Sequence, residues 1–212
     1  YYPDKTRVGW WKNGYPEYFA KVINAPNWIG IDVMVNGVAF DLNTCKKVAN
    51  YKRELNMQEG WYKRSFVATL PNDQEIEVNV TRFLSLDIDE VGAIKYDVKA
   101  LGGDMDLTFS PYLDSGITNE DTNWDDKFWN TTKVSSQGQQ GFIEAHTMKT
   151  NFATCTFMES KLFHNGKAVA INSDAKTEEH EVRFTYKISL KNGDSATLHK
   201  FGGYTVSRNH EA

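Results

Sequence analysis

Residues 119–129 place Asn119, Glu120, Asp121, Asp125 and Asp126 among the rings of Trp124, Phe128 and Trp129. Aromatic faces stack on pyranose rings, and carboxylates and amides take sugar hydroxyls. Asn119, Glu120, Asp121, Trp124 and Trp129 are therefore candidates for the border of a sugar cleft. The same composition also suits an interface, or a solvated loop pinned by its aromatics. Cleaving a glycosidic bond needs two carboxyl groups ~5–9.5 Å apart across it. Spacing along a loop does not establish that separation, so no acid or base is assigned here.

A second dense stretch is Trp10-Trp11-Lys12-Asn13-Gly14-Tyr15-Pro16. It holds too many large rings for a free tail. Trp11 and Tyr15 are expected to fill one end of the fold or to cover a partner surface, rather than to touch a ligand directly.

Other constellations fail on their spacing. Asp87-Ile88-Asp89-Glu90-Val91-Gly92 begins like a calcium loop, but its twelfth position is Val98, where a bidentate Glu is required. A turn between two strands is expected there. His146, His164, His180, His199 and His210 show neither HxH nor HExxH spacing. Cys45 and Cys155 form no CxxC pair and are expected to be free, half-buried thiols of a reduced protein. Ser65 follows Arg64 without a G-x-S-x-G elbow, and the pairs Gly102-Gly103 and Gly202-Gly203 lack the phosphate-cradling pattern. No metal and no cofactor are expected.

The elements that must carry these residues are strands. Val182, Phe184, Tyr186, Ile188 and Leu190 alternate with polar residues, as do Ile76, Val78 and Val80, and Ile94, Tyr96 and Val98. Each run has one dry face and one wet face. Turn signals fall between runs at Asn36-Gly37, Pro71-Asn72-Asp73, Gly102-Gly103-Asp104, Asn165-Gly166 and Asn192-Gly193-Asp194. About eleven or twelve strands are expected, with one helical turn at most, over residues 17–22. Residues 1–27 and 114–140 do not alternate, and the second is longer than most loops. The fold expected is all-β, a large antiparallel two-sheet β-sandwich over residues 1–212.

Composition narrows the partners. The chain has 212 residues, 40% of them hydrophobic, with 28 acidic against 24 basic residues for a net charge of −4. No basic face is announced, so nucleic acid is not an expected partner. No apolar run approaches the ~18 residues of a membrane span. The chain opens at Tyr1 without an initiator Met, so a mature product or a fragment is expected.

Several ordered pieces carry a family resemblance. They are Tyr15–Phe19, Ala25–Ile31, Leu42–Cys45, Arg53–Gly60, Arg82–Gly92 and Asn119–Trp129. Together they resemble the amino-terminal β-domain of glycoside hydrolase family 65, the maltose and kojibiose phosphorylase family. The likeness runs from about Asp4 to about Phe157 and fades to a strand pattern beyond Met158. The resemblance implies a supersandwich like that of galactose mutarotase. It implies a parent enzyme that is an inverting glycoside phosphorylase or hydrolase of α-linked glucosyl disaccharides. In that family a catalytic glutamate and a phosphate-binding loop lie in a helical (α/α)6 barrel, which this sequence does not contain. More β-structure, with a glycine-rich opening, precedes the aromatic run in the family and is also missing.

The implied role is a non-catalytic domain that packs on the catalytic barrel of the same polypeptide and borders its active site. The 212-residue chain is expected to be inactive alone, the parent a homodimer using phosphate, and the location cytoplasmic, with the periplasm as the alternative. A stand-alone carbohydrate-binding module is the competing reading, from the aromatic content and the sandwich.

Overall fold

The computed structural model describes residues 2–6, 14, 16–119, 127–170 and 174–210. In chain order the strands are β1 (Tyr2–Lys5), β2 (Tyr18–Lys21), β3 (Ile31–Val35), β4 (Val38–Ala39), β5 (Lys47–Asn56), β6 (Trp61–Thr69), β7 (Glu75–Leu84) and β8 (Val91–Leu101). They continue with β9 (Met105–Asp114), β10 (Trp129–Gln137), β11 (Gln140–Thr147), β12 (Ala153–His164), β13 (Lys167–Val169), β14 (Asp174–Thr177), β15 (Glu181–Leu190) and β16 (Ser195–Val206). Among the described residues there is no helix.

Two sheets pack face to face. The larger has nine strands in the order β10-β11-β12-β16-β8-β7-β6-β5, with β13 added beside β12. The smaller has five, in the order β14-β15-β9-β3-β4, and β1 and β2 form a separate ribbon. Pairing is antiparallel throughout, as in β7 on β8 and β15 on β9. The alternation read from the sequence becomes the dry interface. Ile94, Tyr96 and Val98 of β8 face Phe109 and Leu113 of β9 and Phe184 and Tyr186 of β15, all nearly inaccessible to solvent. Burying each such side chain contributes about 1.5–3 kcal/mol.

The turn signals act as expected, with one distinction. Asn36 and Gly37 both have positive φ, 49° and 77°, and Val35 pairs directly with Val38. That is the two-residue turn whose twist matches the strands it joins. Asn165-Gly166 does the same between β12 and β13. Gly102-Gly103-Asp104 and Asn192-Gly193-Asp194, by contrast, carry the chain from one sheet to the other. These two crossings lie side by side. Gly193 N donates to Ala100 O at 3.0 Å, and Lys191 Nζ meets Asp104 Oδ2 at 2.7 Å.

Three expectations need correction. The helical turn over residues 17–22 is instead β2, paired with β1 from Tyr2↔Lys21 to Lys5↔Tyr18. Among the described residues there are sixteen strands, not eleven or twelve. Five of them (β1, β2, β4, β13 and β14) have two to four residues, too few for a period-2 pattern to stand out, and removing them leaves eleven. Residues 114–140 are not one long loop, because β10 occupies Trp129–Gln137. Its outward positions are polar and its partner face is only partly covered, which hides the alternation.

The turn expected at residues 87–92 is present between β7 and β8. Ser85 Oγ accepts from the Ile88 backbone N–H at 2.9 Å. Cys45 and Cys155 are free and half-buried, as expected.

Candidate functional site

The described ends of the 119–129 segment are drawn to the backbone that leaves β2, while the Trp10–Pro16 segment lies almost wholly outside the described residues. Trp129, the first residue of β10, is only 6% exposed, and its Nε1–H donates to Asn24 O at 2.7 Å. Asn119 works like a short stretch of strand. Its Oδ1 accepts from Asn24 N at 2.9 Å, and its Nδ2 donates to Val22 O at 3.0 Å. Asn24 Nδ2 returns a bond to Thr118 O at 3.1 Å. The backbone leaving β2 is therefore held on both sides by side-chain amides and an indole, where no strand partner exists.

Beneath this clasp lies a small core separate from the main one. Tyr2 and Phe128 meet edge to face at 4.9 Å between centroids, with Trp129 and Ala145 completing the cluster. Lys21 is nearly buried. Its ammonium sits 3.0 Å from Asp4 Oδ2 and 5.4 Å above the Phe128 ring. Lys149 adds a second cation, 3.6 Å from Asp4 Oδ1 and donating to Pro3 O at 3.0 Å. Burial pushes the Asp4 carboxyl up, but the Lys21 bond, the Lys5 backbone N–H and the two ammonium charges outweigh it and hold the group below its ordinary value.

A groove of about 620 Å³ opens beside this cluster, lined by Val22, Ile23, Trp129, Phe152 and Tyr204 together with Thr147, Thr150 and Thr154. The Tyr204 hydroxyl donates to Pro26 O at 2.5 Å, and burial pushes its pKa up to about 12. Among the described residues lining the groove none is a carboxylate. These walls can hold an apolar or hydroxylated surface and can offer hydroxyl hydrogen bonds. They supply no proton-transfer pair. Among the described residues no group of three or more His, Cys, Asp or Glu could hold a metal.

Trp11, Tyr15, Glu120, Asp121 and Trp124 lie outside the described residues. Asn119 and Trp129 come together on the Val22–Asn24 backbone. Lys21, Asn24 and Tyr204 were missed by the sequence reading. Lys21 sits in a four-residue strand without a visible pattern, Asn24 acts through its backbone and amide, and Tyr204 joins only through the register of the last strand.

Because Trp129 ties the ribbon to the large sheet, Trp129→Ala is expected to loosen the β1–β2 ribbon more than the sandwich. The indole bond and the ring packing together are worth about 3–5 kcal/mol. Hydrogen exchange should rise across residues 2–5 and 18–24 while the β7–β8 amides stay protected. Equal loss of protection in both regions would make Trp129 part of the global core instead.

The family model described as glycosyl hydrolase family 65, N-terminal domain, matches residues 1–212. A maltose phosphorylase of Bacillus subtilis (strain 168) is 39% identical over 208 residues, covering 98% of this chain. An alpha,alpha-trehalose phosphorylase of Thermoanaerobacter brockii is 28% identical over 212 residues, covering 93%. The chain spans 27% of the length of each of these relatives. Among solved structures, a human-microbiome protein assigned as a kojibiose phosphorylase superposes with a TM-score of 0.76 at 22% identity. The match covers 90% of this chain and 23% of that one, and shows the shared fold.

Proposed function

Since the chain belongs to the N-terminal domain family of glycosyl hydrolase family 65, we propose that it serves as the non-catalytic β-domain of an α-glucosyl disaccharide phosphorylase. In this reading it packs on a helical catalytic barrel in the same polypeptide and borders the active site with the clasped segment around Asn119 and Trp129. The observation that supports this most is one of proportion. The chain aligns over nearly its whole length with a maltose phosphorylase, yet accounts for only 27% of it. What remains is ample for a separate catalytic domain. The described groove fits such a role, having apolar walls and threonine hydroxyls but no acid–base pair.

The parent polypeptide is then a homodimer that passes glucose from a disaccharide to phosphate. In the family that chemistry belongs to a glutamate of the barrel, and this chain would shape the cleft rather than move protons. Among the described residues no helix is long and apolar enough to cross a membrane.

The test is a two-by-two assay. The longer polypeptide and the 212-residue chain are each offered maltose, kojibiose and trehalose, with and without phosphate. Phosphate-dependent release of glucose 1-phosphate by the longer polypeptide, and none by the chain alone, is expected. Turnover by the 212-residue chain well above buffer would overturn the non-catalytic role. Glucose release that ignores phosphate would move the parent to hydrolysis. No turnover by either, with sugar binding by the chain alone, would favour a carbohydrate-binding module.

A further inference from the structure

A second groove, of about 940 Å³, lies at the end of the large sheet where the β5–β6 and β7–β8 turns meet. Its lips are apolar and bare. Leu55 is 66% exposed, Met57 87%, Phe83 49%, Leu84 69% and Leu86 94%, with Ile29 at 48% on the facing loop. Single exposed apolar residues are ordinary, but a contiguous set on two adjoining turns marks a surface that something covers.

The turns are stiffly built. Asn56 Oδ1 accepts from Gln58 N and Glu59 N at 3.1 and 2.9 Å, and Glu59 Oε2 accepts the Trp61 indole N–H at 2.6 Å. Ser85 Oγ likewise caps the backbone N–H groups of Asp87 and Ile88. The apolar side chains are thus held outward by a satisfied scaffold, and a partner docking here has little left to order.

We propose that this apolar rim is the surface on which the remainder of the same polypeptide docks. The inference rests on the reading above for the catalytic barrel as that partner. Two observations select it over a second copy of the chain. The first is where the backbone leaves. β16 ends beside the start of β8, Tyr204 N donates to Glu90 O at 3.1 Å, and His210 Nε2 lies 2.9 Å from Glu90 Oε1. The last described residue thus lies against the β7–β8 turn, which also carries Leu86. A domain joined there by a short flexible linker would meet this groove at an effective concentration of about millimolar.

The second is charge. Glu59, Asp87, Asp89 and Glu90 crowd the two turns, with Arg82 the cation at the groove. A twofold pairing would set these carboxylates against their own images, whereas a different partner can answer them. The docking surface on the barrel is accordingly an aliphatic or aromatic ridge flanked by Lys or Arg.

Methionine oxidation reads the cover directly. The longer polypeptide is treated with peroxide, folded and in denaturant, and the Met57 peptide is followed by mass spectrometry. A bare thioether 87% exposed should oxidise at close to its denatured rate, whereas a docked one should be slowed by about tenfold or more. Leu86→Glu should restore much of the Met57 rate while leaving the number of subunits in native mass spectra unchanged. Wild-type Met57 reacting within about twofold of its denatured rate would overturn the proposal. So would a Leu86→Glu variant that frees Met57 only by splitting the oligomer, because the occupant would then be a second copy. Phosphorolysis measured on the same wild-type sample separates the two readings. Protected Met57 without activity removes the functional assignment and leaves the docking surface standing.

Discussion

Lys200→Ala is expected to lower the melting temperature of the chain by roughly 6–20 °C, from a cost of about 3–5 kcal/mol at about 2–4 °C each. Lys200 belongs to β16 in the large sheet, has no accessible surface, and reaches across the core. Its Nζ donates to Gly30 O and to Tyr112 O, each at 2.8 Å, on the side of the smaller sheet. Truncation takes one donor from each carbonyl, although Gly30 O keeps the Tyr112 N–H at 3.1 Å, and opens a cavity. Lys200→Met refills the volume without the donors and should cost less, about 1–3 kcal/mol.

The pH dependence of this site follows from its surroundings. Burial pushes the Lys200 amine well below its ordinary value, Arg183 repels its proton further, and Asp32 offsets only part of this. A neutral amine has two N–H groups, matching the two carbonyls. In the unfolded chain the same amine titrates near ~10.4. Between the depressed folded value and ~10.4 the unfolded state holds more protons, so stability rises with pH across that window and levels off above it. Urea unfolding of wild type and Lys200→Met at several pH values checks this. Wild type should gain on the variant as pH rises toward ~10.4. Parallel curves would mean that the amine is charged in the folded protein.

Trp28→Ala should cost about 3–5 kcal/mol in the same assay. Trp28 lies on the loop entering β3 and is 7% exposed. The indole lies in a slot made by two glycines that are direct cross-strand partners, Gly92 on β8 and Gly202 on β16. A Cβ on Gly92 would stand 2.7 Å from the Trp28 ring, and one on Gly202 would stand 2.9 Å from the ring and 2.7 Å from Phe157 O. Each Gly→Ala change should therefore destabilise wild type by about 1–3 kcal/mol or more.

The two glycines should part company in a Trp28→Ala background. The clash at Gly92 is with the indole and with the flexible end of Leu84, so Gly92→Ala becomes cheaper once the ring is gone. The clash at Gly202 includes backbone, so Gly202→Ala stays costly. A double-mutant cycle measures this, with coupling of about 0.5–3 kcal/mol expected for the Trp28–Gly92 pair. Additivity at Gly92 would show that the slot relaxes and that the ring is not what demands a glycine there.

These two features mark where reading the chain reached its limit. The long strands were visible because one face of each meets the opposing sheet, as in Val182, Phe184 and Tyr186, and the alternation records that directly. The Asn-Gly turns were visible because their φ values exclude most residues. Lys200 and Trp28 were not visible. A lysine within a strand reads as outward, and only the pairing of β16 with β8 and the crossing to β9 reveals its carbonyls. The glycine slot needs the register Gly92↔Gly202, which no local pattern encodes.

The candidate site was half visible. Asn119 and Trp129 were singled out by residue type, and they meet Val22 and Asn24, which were not. Leu55, Met57, Leu84 and Leu86 were noticed only as parts of resembling pieces. The signal for them was present, as apolar residues running past the end of a strand into a polar turn.

The outermost strands of the large sheet carry one more consequence. β5 is broken between Ala49 and Lys52, with Asn50 at φ 54°, and β10 is broken between Thr131 and Lys133. A regular edge offers a ladder of open N–H and C=O groups to any passing strand, and a kinked, lysine-bearing edge does not. Two such borders on one broad sheet make the domain a poor seed for fibrils during synthesis, when the sandwich stands before any following segment has been made.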